Sequence, residues 1–134
     1  MALIKSISGI RGTIGGKPGE NLTPAEITRF TAAFGKIMTG KNGKGKIVIG
    51  RDGRVSGQMV RDLVVGTLSA MGIDVIDLGL STTPTVEIAV KGEKADAGII
   101  ITASHNPKEW NALKLLNEDG EFISAELGAE VLKL

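Results

Sequence analysis

Short apolar runs alternate with longer amphipathic segments along this chain. The short runs are rich in β-branched side chains, which is typical of buried strands; they are Leu3–Ile7, Lys46–Gly50, Ile73–Leu80 and Ala95–Thr102. The longer segments carry apolar residues at helical spacing, as in Ile27, Phe30, Phe34, Ile37 and Met38. This alternation predicts an α/β fold, namely a three-layer α/β/α domain with a mixed, mostly parallel central sheet.

Capping residues mark the predicted helix starts. Thr23 fits the N-cap of the first helix, with Pro24 in the first turn and Glu26 completing a capping box. The predicted caps of the later helices are Ser56, Thr83 and Ser124. Between the last strand and the last helix, Leu113–Asn117 and Glu121–Ile123 predict a small hairpin. The glycine-rich stretch Ser8–Asn21 is predicted to be a long loop, a kind of segment that is often functional.

The segment Thr102–Pro107 is the most informative part of the chain. It follows the apolar run Gly98–Ile101. Asn106-Pro107 then breaks regular structure, because the residue before proline is pushed out of the α region. Ser104 is therefore predicted to lie where a core strand ends, at the edge of an open α/β sheet that binds ligands. A hydroxyl there can exchange a phosphoryl or acyl group.

His105 follows Ser104 directly and could be taken for its general base. Neighbours on an extended chain point to opposite sides, so adjacency in sequence does not establish contact. Taken as a bare dipeptide, a turn serine beside a surface histidine is the alternative. Ser104 also lacks the G-x-S-x-G surroundings of a nucleophile elbow, which argues against a hydrolase triad.

Cationic side chains recur in three further segments, which are Ser8–Gly12, Gly50–Ser56 and Asn111–Lys114. Glycines flank Arg11, so backbone N–H groups and a guanidinium could approach a phosphate together; a flexible N-terminal loop is the alternative. Arg51 and Arg54 could face an anion, or Asp52 could pair with an arginine and brace the loop. Lys114 could stabilise charge on a phosphoryl group in transfer, or move a proton.

One apparent phosphate-binding loop is excluded. Gly40–Lys46 matches the start of a P-loop, but Ile47 stands where a Ser or Thr should bind magnesium. The segment also follows a predicted helix and precedes a predicted strand, which is the reverse of the P-loop order. It is predicted to be a solvated basic turn.

Composition narrows the remaining functions. A net charge of +1 and 3% aromatic residues argue against nucleic acid as the main partner. The absence of cysteine and the single histidine exclude disulfides, a thiolate nucleophile and a His-rich metal site. No apolar stretch approaches the ~20 residues of a membrane span, and the N-terminus has no signal-peptide pattern. The chain is predicted to be cytoplasmic, without a membrane or nucleic-acid partner.

A resemblance to the α-D-phosphohexomutase family runs from Ser8 to about Phe122. Four segments carry it in the family's order and spacing: S-G-I-R-G at Ser8–Gly12, G-R-D-G-R-V-S at Gly50–Ser56, T-A-S-H-N-P at Thr102–Pro107 and N-A-L-K at Asn111–Lys114. The family's usual N-G-x-K has Ala112 in place of glycine. Alanine disfavours positive φ, so the local backbone turn is the feature that this departure affects.

The resemblance implies roles for the matched residues. Ser104 would be the phosphoserine that donates and recovers the phosphoryl group, and its phosphoryl oxygen would be one ligand of Mg²⁺. His105 would line the site beside it. Arg11 and Lys114 would contact the transferring phosphoryl group and help the proton move. The positions implied to bind substrate or phosphate are Ser8, Gly9, Arg51 and Asn106.

The resemblance also implies a larger protein. Family members have four domains around one cleft, and the other magnesium ligands lie on a D-G-D-x-D-R loop of the second domain, which is not in this sequence. Residues 1–134 are therefore predicted to be domain I of such an enzyme, to pack against domains II–IV of its own chain, and to be inactive alone. The sequence leaves the oligomeric state open.

The implied reaction interconverts hexose 6-phosphate and hexose 1-phosphate through a phosphoserine and a bisphosphorylated sugar. Ser6–Gly16 and Trp110–Leu113 incline the prediction towards glucosamine phosphate, then mannose phosphate, with glucose phosphate also open. Two alternatives from other classes remain. One is a non-catalytic sugar-phosphate binding module built on Arg11, Arg51 and Lys114, and the other is a serine phosphatase-like hydrolase.

Overall fold

The computed structural model of the chain describes residues 3–6, 9–14, 21–39, 45–53, 56–102 and 110–133. The strands in these ranges are β1 (Leu3–Ser6), β2 (Gly9–Thr13), β3 (Lys46–Arg51), β4 (Asp74–Leu80), β5 (Ala97–Ile101) and β6 (Trp110–Leu116). The helices are α1 (Pro24–Thr39), α2 (Gly57–Ala70), α3 (Thr83–Gly92) and α4 (Ala125–Lys133). No helix within these ranges is long and apolar enough to cross a membrane.

The strands form one mixed sheet in the order β1-β2-β6-β5-β3-β4. Pairing is parallel between β5, β3 and β4 and antiparallel between β1, β2, β6 and β5. The predicted α/β fold with a mixed sheet is confirmed. The sheet is not mostly parallel as predicted, because two of the five pairings among the described strands are parallel and three are antiparallel. A parallel neighbour needs a crossover of a dozen or more residues, and only residues 102–109 separate β5 from β6, so these two strands run antiparallel.

Helices cover both faces of the sheet, as the three-layer prediction requires. On one face, which we call the three-helix face, Ile47 and Ile49 of β3 pack in a cluster with side chains of α1, α2 and α4. On the other, the α3 face, Val48 packs with Val86 and Val90 of α3. Successive strand residues therefore alternate between two cores.

The glycine-rich stretch that was predicted to be a long loop contains a strand. β2 lies between β1 and β6, with Gly9 opposite Lys114 and Thr13 opposite Trp110. Gly9 has a φ of +154°, and a Cβ at this position would overlap the carbonyl oxygen of Leu113. The prediction was wrong here because glycines occupy strand positions where β6 approaches closely.

The helix caps differ in part from prediction. The hydroxyl of Thr23 is buried and makes no hydrogen bond within the described ranges, so its side chain does not form the expected capping box. For α3 the cap is Thr82 rather than Thr83, since Thr82 is extended and its Oγ1 accepts from the N–H of Thr85 at 3.3 Å. Ser124 caps α4 as predicted.

The predicted hairpin near the C-terminus is only partly formed. β6 begins earlier than expected, at Trp110, and the return segment contributes a single bridge between Leu116 and Phe122. In the rejected P-loop, residues 40–44 lie outside the described ranges. The helix α1 precedes them and β3 follows, which confirms the order on which the rejection depends.

Candidate functional site

The predicted site centres on the carboxyl end of β5. The residues that flank the 103–109 segment, Thr102 and Trp110, are described. The site can therefore be built from the strands that lead into and out of this segment. Some predicted positions lie outside the described residues, so their roles stay predictions; these are Ser8, Arg54, Ser104, His105 and Asn106.

Thr102 is held by the residue that follows β3. Its hydroxyl donates to Oδ2 of Asp52 at 2.6 Å, and the N–H of Asp52 donates to the carbonyl of Ile101 at 3.1 Å. Thr102 is 9% exposed, so this hydrogen bond is largely sheltered from water. Asp52 therefore braces this edge of the sheet through a threonine hydroxyl, and its predicted pairing with an arginine stays a prediction.

Asn111 ties the start of β6 to the start of α2. Its Nδ2 donates to Oγ of Ser56 at 2.9 Å, and its Oδ1 accepts from the N–H of Ala112 at 2.9 Å. The prediction that Ser56 caps α2 is therefore wrong. Ser56 precedes the helix without a side-chain cap hydrogen bond, and its hydroxyl accepts from Asn111 instead. Sequence reasoning missed this contact, although a polar residue at a core position of β6, alternating with leucines, was a signal for it.

Strands β2 and β6 bring Arg11 and Lys114 together. Arg11 lies directly opposite Ala112, two residues before Lys114. Ile10 and Leu113, which adjoin the two cations in sequence, belong to the core of the three-helix face. Since successive strand residues point to opposite faces, Arg11 and Lys114 both lie on the α3 face. Diagonal neighbours in such a pair are about 7–8 Å apart.

Small residues lie opposite the two cations on the β2–β6 pair, whereas their other strand neighbours are Ile4, opposite Arg11, and Ile100, opposite Lys114. Gly9 lies opposite Lys114 and Ala112 lies opposite Arg11, so neither cation has a bulky cross-strand neighbour on the β2–β6 pair. Arg11 is exposed and Lys114 is half-buried. Ala112 fits here in place of the family's glycine because it is a strand residue; within the described ranges, Lys94 is the only non-glycine residue with positive φ.

Arg51 lies beside α2 rather than beside Arg11. Its Nη2 donates to Oε1 of Gln58 at 3.1 Å, and its Nη1 donates to the carbonyl of Asp52 at 3.5 Å. Gln58 is held in turn by Asp62, since its Nε2 donates to Oδ1 of that carboxylate at 2.9 Å. The structure thus gives Arg51 a bracing role on the three-helix side, and its binding of phosphate stays a prediction.

Arg61 ties the same helix to the edge strand β4. Its Nε donates to Oδ2 of Asp77 at 2.6 Å and its Nη1 to Oδ1 of Asp62 at 2.9 Å. These hydrogen bonds, that to Asp77 first, raise the pKa of the Arg61 guanidinium above its ordinary value. α2, whose first turn adjoins the site, is therefore braced against the sheet along its exposed side.

The predicted magnesium ion has no site of its own in this part of the chain. Within the described ranges, no three His, Cys, Asp or Glu side chains are close enough together to hold a metal ion. Ser104, the one ligand predicted from this chain, lies outside those ranges. The described residues therefore do not form a magnesium site by themselves, and the binding of magnesium through Ser104 stays a prediction.

Comparison with known families gives one match over nearly the whole chain. A family model described as phosphoglucomutase/phosphomannomutase, alpha/beta/alpha domain I, matches residues 3–134. Its α/β/α description agrees with the layers described above.

Curated relatives share this similarity. A phosphoglucomutase/phosphomannomutase from Thermococcus kodakarensis is 40% identical over 127 residues, which is 92% of this chain and 28% of that protein. A phosphoglucosamine mutase from Pediococcus pentosaceus is 39% identical over 92% of this chain and 27% of its own length. The chain thus spans about a quarter of the length of the curated relatives it matches.

Solved structures agree in fold. The chain superposes on a candidate phosphomannomutase from Thermus thermophilus with a TM-score of 0.87 and 29% identity, covering 100% of this chain and 30% of that one. A phosphoglucomutase/phosphomannomutase family protein from Burkholderia thailandensis gives a TM-score of 0.78 and 26% identity, covering 97% of this chain and 30% of that one.

Proposed function

Because the chain belongs to the phosphoglucomutase/phosphomannomutase family, we propose that it is the phosphoserine-bearing domain of an enzyme that moves a phosphoryl group between O6 and O1 of a hexose. One structural observation supports the proposal most directly. Arg11 and Lys114 share the α3 face of β2 and β6, and β6 pairs with β5, where Lys114 lies opposite Ile100. Ser104 follows β5 in sequence, after Thr102 and Ala103.

The charges of these residues suit the proposed chemistry. A phosphoserine carries about −1.5 to −2 charges near neutral pH. Arg11 offers a planar fork of donors that can hold two phosphoryl oxygens, and Lys114 offers a compact ammonium. Together they would offset the charge of the phosphoryl group and stabilise the in-line transition state, in which positioning and electrostatics supply most of the catalysis.

The proposed reaction has two phosphoryl transfers. In the first, a sugar hydroxyl attacks the phosphorus of phosphorylated Ser104, the Ser104 O–P bond breaks, and the proton of the sugar hydroxyl passes to the released Ser104 oxygen with help from Lys114 and Arg11. The bisphosphorylated sugar then reorients. In the second, the Ser104 hydroxyl attacks the other phosphate, its proton passes to the sugar oxygen that is released, and phosphoserine is restored. His105 is proposed to line the site beside it.

Magnesium enters the proposal as a group held mainly outside this chain. The phosphoryl oxygen on Ser104 would be its ligand here, and a bound ion would supply positive charge at the phosphoryl group. Ser8, Gly9, Arg51 and Asn106 remain proposed substrate or phosphate contacts.

The substrate proposal follows the named relatives. The relative from Pediococcus pentosaceus is named a phosphoglucosamine mutase, and that from Thermococcus kodakarensis a phosphoglucomutase/phosphomannomutase. We therefore place glucosamine phosphate first and mannose phosphate second. Since the chain spans about a quarter of these relatives, we propose that domains II–IV supply the sugar contacts and that the 134 residues alone do not turn over.

A coupled assay of the complete enzyme tests this function. Conversion of a hexose 6-phosphate to its 1-phosphate is expected, and Ser104→Ala should abolish it, whereas Ser69→Ala on the exposed side of α2 should not. Mutase activity close to wild type in Ser104→Ala would refute the proposal. Release of inorganic phosphate without a sugar bisphosphate would favour the hydrolase alternative, and sugar-phosphate binding without transfer would favour the binding module.

A further inference from the structure

Asn111 is a fully buried polar residue at a position that would suit an apolar one. It is 0% exposed, and it shares a face of β6 with Leu113 and Leu115, which belong to the core of the three-helix face. A buried amide is costly unless its donors and acceptor are paired. Here both ends are paired, with Ser56 and with the backbone of Ala112.

Ser56 accepts a hydrogen bond from Asn111 instead of capping α2. A serine before a helix normally accepts a hydrogen bond from a first-turn N–H. Ser56 makes no such bond, and the first turn of α2 carries no acidic residue that could take its place. Local stability would favour an apolar residue at position 111 and a capping hydrogen bond from Ser56, and the chain has neither. Such departures from local rules are expected at functional sites.

The bond is made by β6, the strand that carries Lys114. Asn111 lies opposite Gly12, and the next pair is Ala112 with Arg11. The carbonyl of Ala112 also accepts from the N–H of Thr102 at 3.1 Å. Ala112 therefore lies between Thr102, which follows β5, and Arg11 of β2. A slip of β6 by one residue would move its side chains to the opposite faces, and a smaller shift would displace Lys114 from Arg11.

We infer that Asn111, acting through Ser56, is a positioning residue that keeps Arg11 and Lys114 in place beside the end of β5. The inference rests on the proposed function, because it concerns the transfer step that these two cations would serve. It assigns the Ser56–Asn111 hydrogen bond a role in turnover beyond its contribution to folding.

The test compares substitutions of two hydroxyl-bearing residues in the complete enzyme, Ser56 before α2 and Thr67 within it. Ser56→Ala deletes the acceptor of Asn111, and Ser56→Thr retains it. The matched control is Thr67→Ala, which deletes a hydroxyl that donates to the carbonyl of Leu63 at 2.7 Å in the same helix. Melting temperatures are measured for all three, and hydrogen exchange is followed in peptides that cover β2 and β6.

Ser56→Ala is expected to lower kcat by about 10- to 100-fold, the scale on which small misplacements act, with KM within about two-fold of wild type. Ser56→Thr should recover kcat, and Thr67→Ala should keep it. Exchange in β2 and β6 should rise in Ser56→Ala and not in Thr67→Ala. Wild-type kcat in Ser56→Ala, or an equal loss of kcat in Thr67→Ala, would overturn the inference.

The same experiment separates this inference from the proposed function. If the wild-type enzyme transfers phosphate between sugar positions and Ser56→Ala does so equally well, the positioning role fails while the function stands. If the wild-type enzyme makes no sugar bisphosphate, the function fails. In that case, hydrogen exchange still tests whether the Ser56–Asn111 hydrogen bond holds β2 and β6 in place. Equal exchange in Ser56→Ala and Thr67→Ala would show that it does not.

Discussion

Arg11 and Lys114 lie on one face of the sheet as diagonal neighbours across the β2–β6 pair. Within this pair, Ala112 lies directly opposite Arg11 and Gly9 lies directly opposite Lys114, so a small residue of each strand faces the cation of the other. Two cations kept side by side repel each other, and an anion bound between them would relieve that repulsion. The arrangement is thus suited to a phosphoryl group, which the proposed function places there.

Removal of the positive charge of Lys114 should impair transfer. We expect Lys114→Met, which keeps much of the side-chain volume, to lower kcat in the complete enzyme by about 10²- to 10³-fold, the usual effect of losing one group that stabilises transition-state charge. The coupled assay measures this loss. Lys91→Met, which removes an exposed lysine from α3, is the control and should remain active. An equal fall in both variants would show that the loss is not specific to the site.

Gly9→Ala should destabilise the chain strongly. A methyl group at Gly9 would overlap the backbone carbonyl of Leu113, and the φ of +154° is unfavourable for alanine. We expect a loss of about 3 kcal/mol or more in the free energy of unfolding, from steric overlap and backbone strain together. Urea denaturation of the 134-residue chain measures it.

Gly66→Ala is the matched control for Gly9→Ala. Gly66 lies inside α2, and a methyl group there would meet nothing within 4 Å. Alanine should therefore raise the free energy of unfolding by about 0.5–1 kcal/mol. A Gly9→Ala variant as stable as wild type would mean that β2 does not approach β6 in the way described.

The hydrogen bond between Thr102 and Asp52 should contribute to stability through the threonine hydroxyl. Thr102→Val keeps the shape and leaves the carboxylate without this donor, which typically costs about 1–3 kcal/mol. Thr102→Ser keeps the hydroxyl and loses only a methyl group, at roughly 1 kcal/mol. Thermal unfolding of both variants compares them, and a valine variant that is the more stable of the two would contradict the contact.

Local patterns in the sequence predicted much of the fold. The β-branched runs that became β3, β4 and β5, and the apolar stripe of α1, each depend on residues close together in the chain, so their periodicity is visible without the structure. The sheet order and the direction of β6 were not accessible in this way. They depend on which strands meet across long sequence separations, and glycines hid the strand character of β2.

The candidate site was predictable to the extent that motifs mark it. Arg11 and Lys114 were singled out from the sequence, and the structure brings them to one face. The braces were harder to foresee. Ser56 looks like an ordinary helix cap, and only the fold shows that its hydroxyl serves Asn111, which is 55 residues away in sequence. Side-chain contacts of this kind leave no local period to detect.

The central claim is that Ser104 carries the phosphoryl group, and peptide mass spectrometry tests it most directly. The complete enzyme is incubated with a hexose bisphosphate and divided into two samples. One sample is digested to locate the phosphoryl group, and the other is given hexose monophosphate while intact to test transfer. We predict one phosphoryl group per chain on Ser104, its transfer to the added sugar, and no labelling in Ser104→Ala beside normal labelling in Ser69→Ala. A phosphoryl group on another residue, or none at all in an active enzyme, would contradict the account.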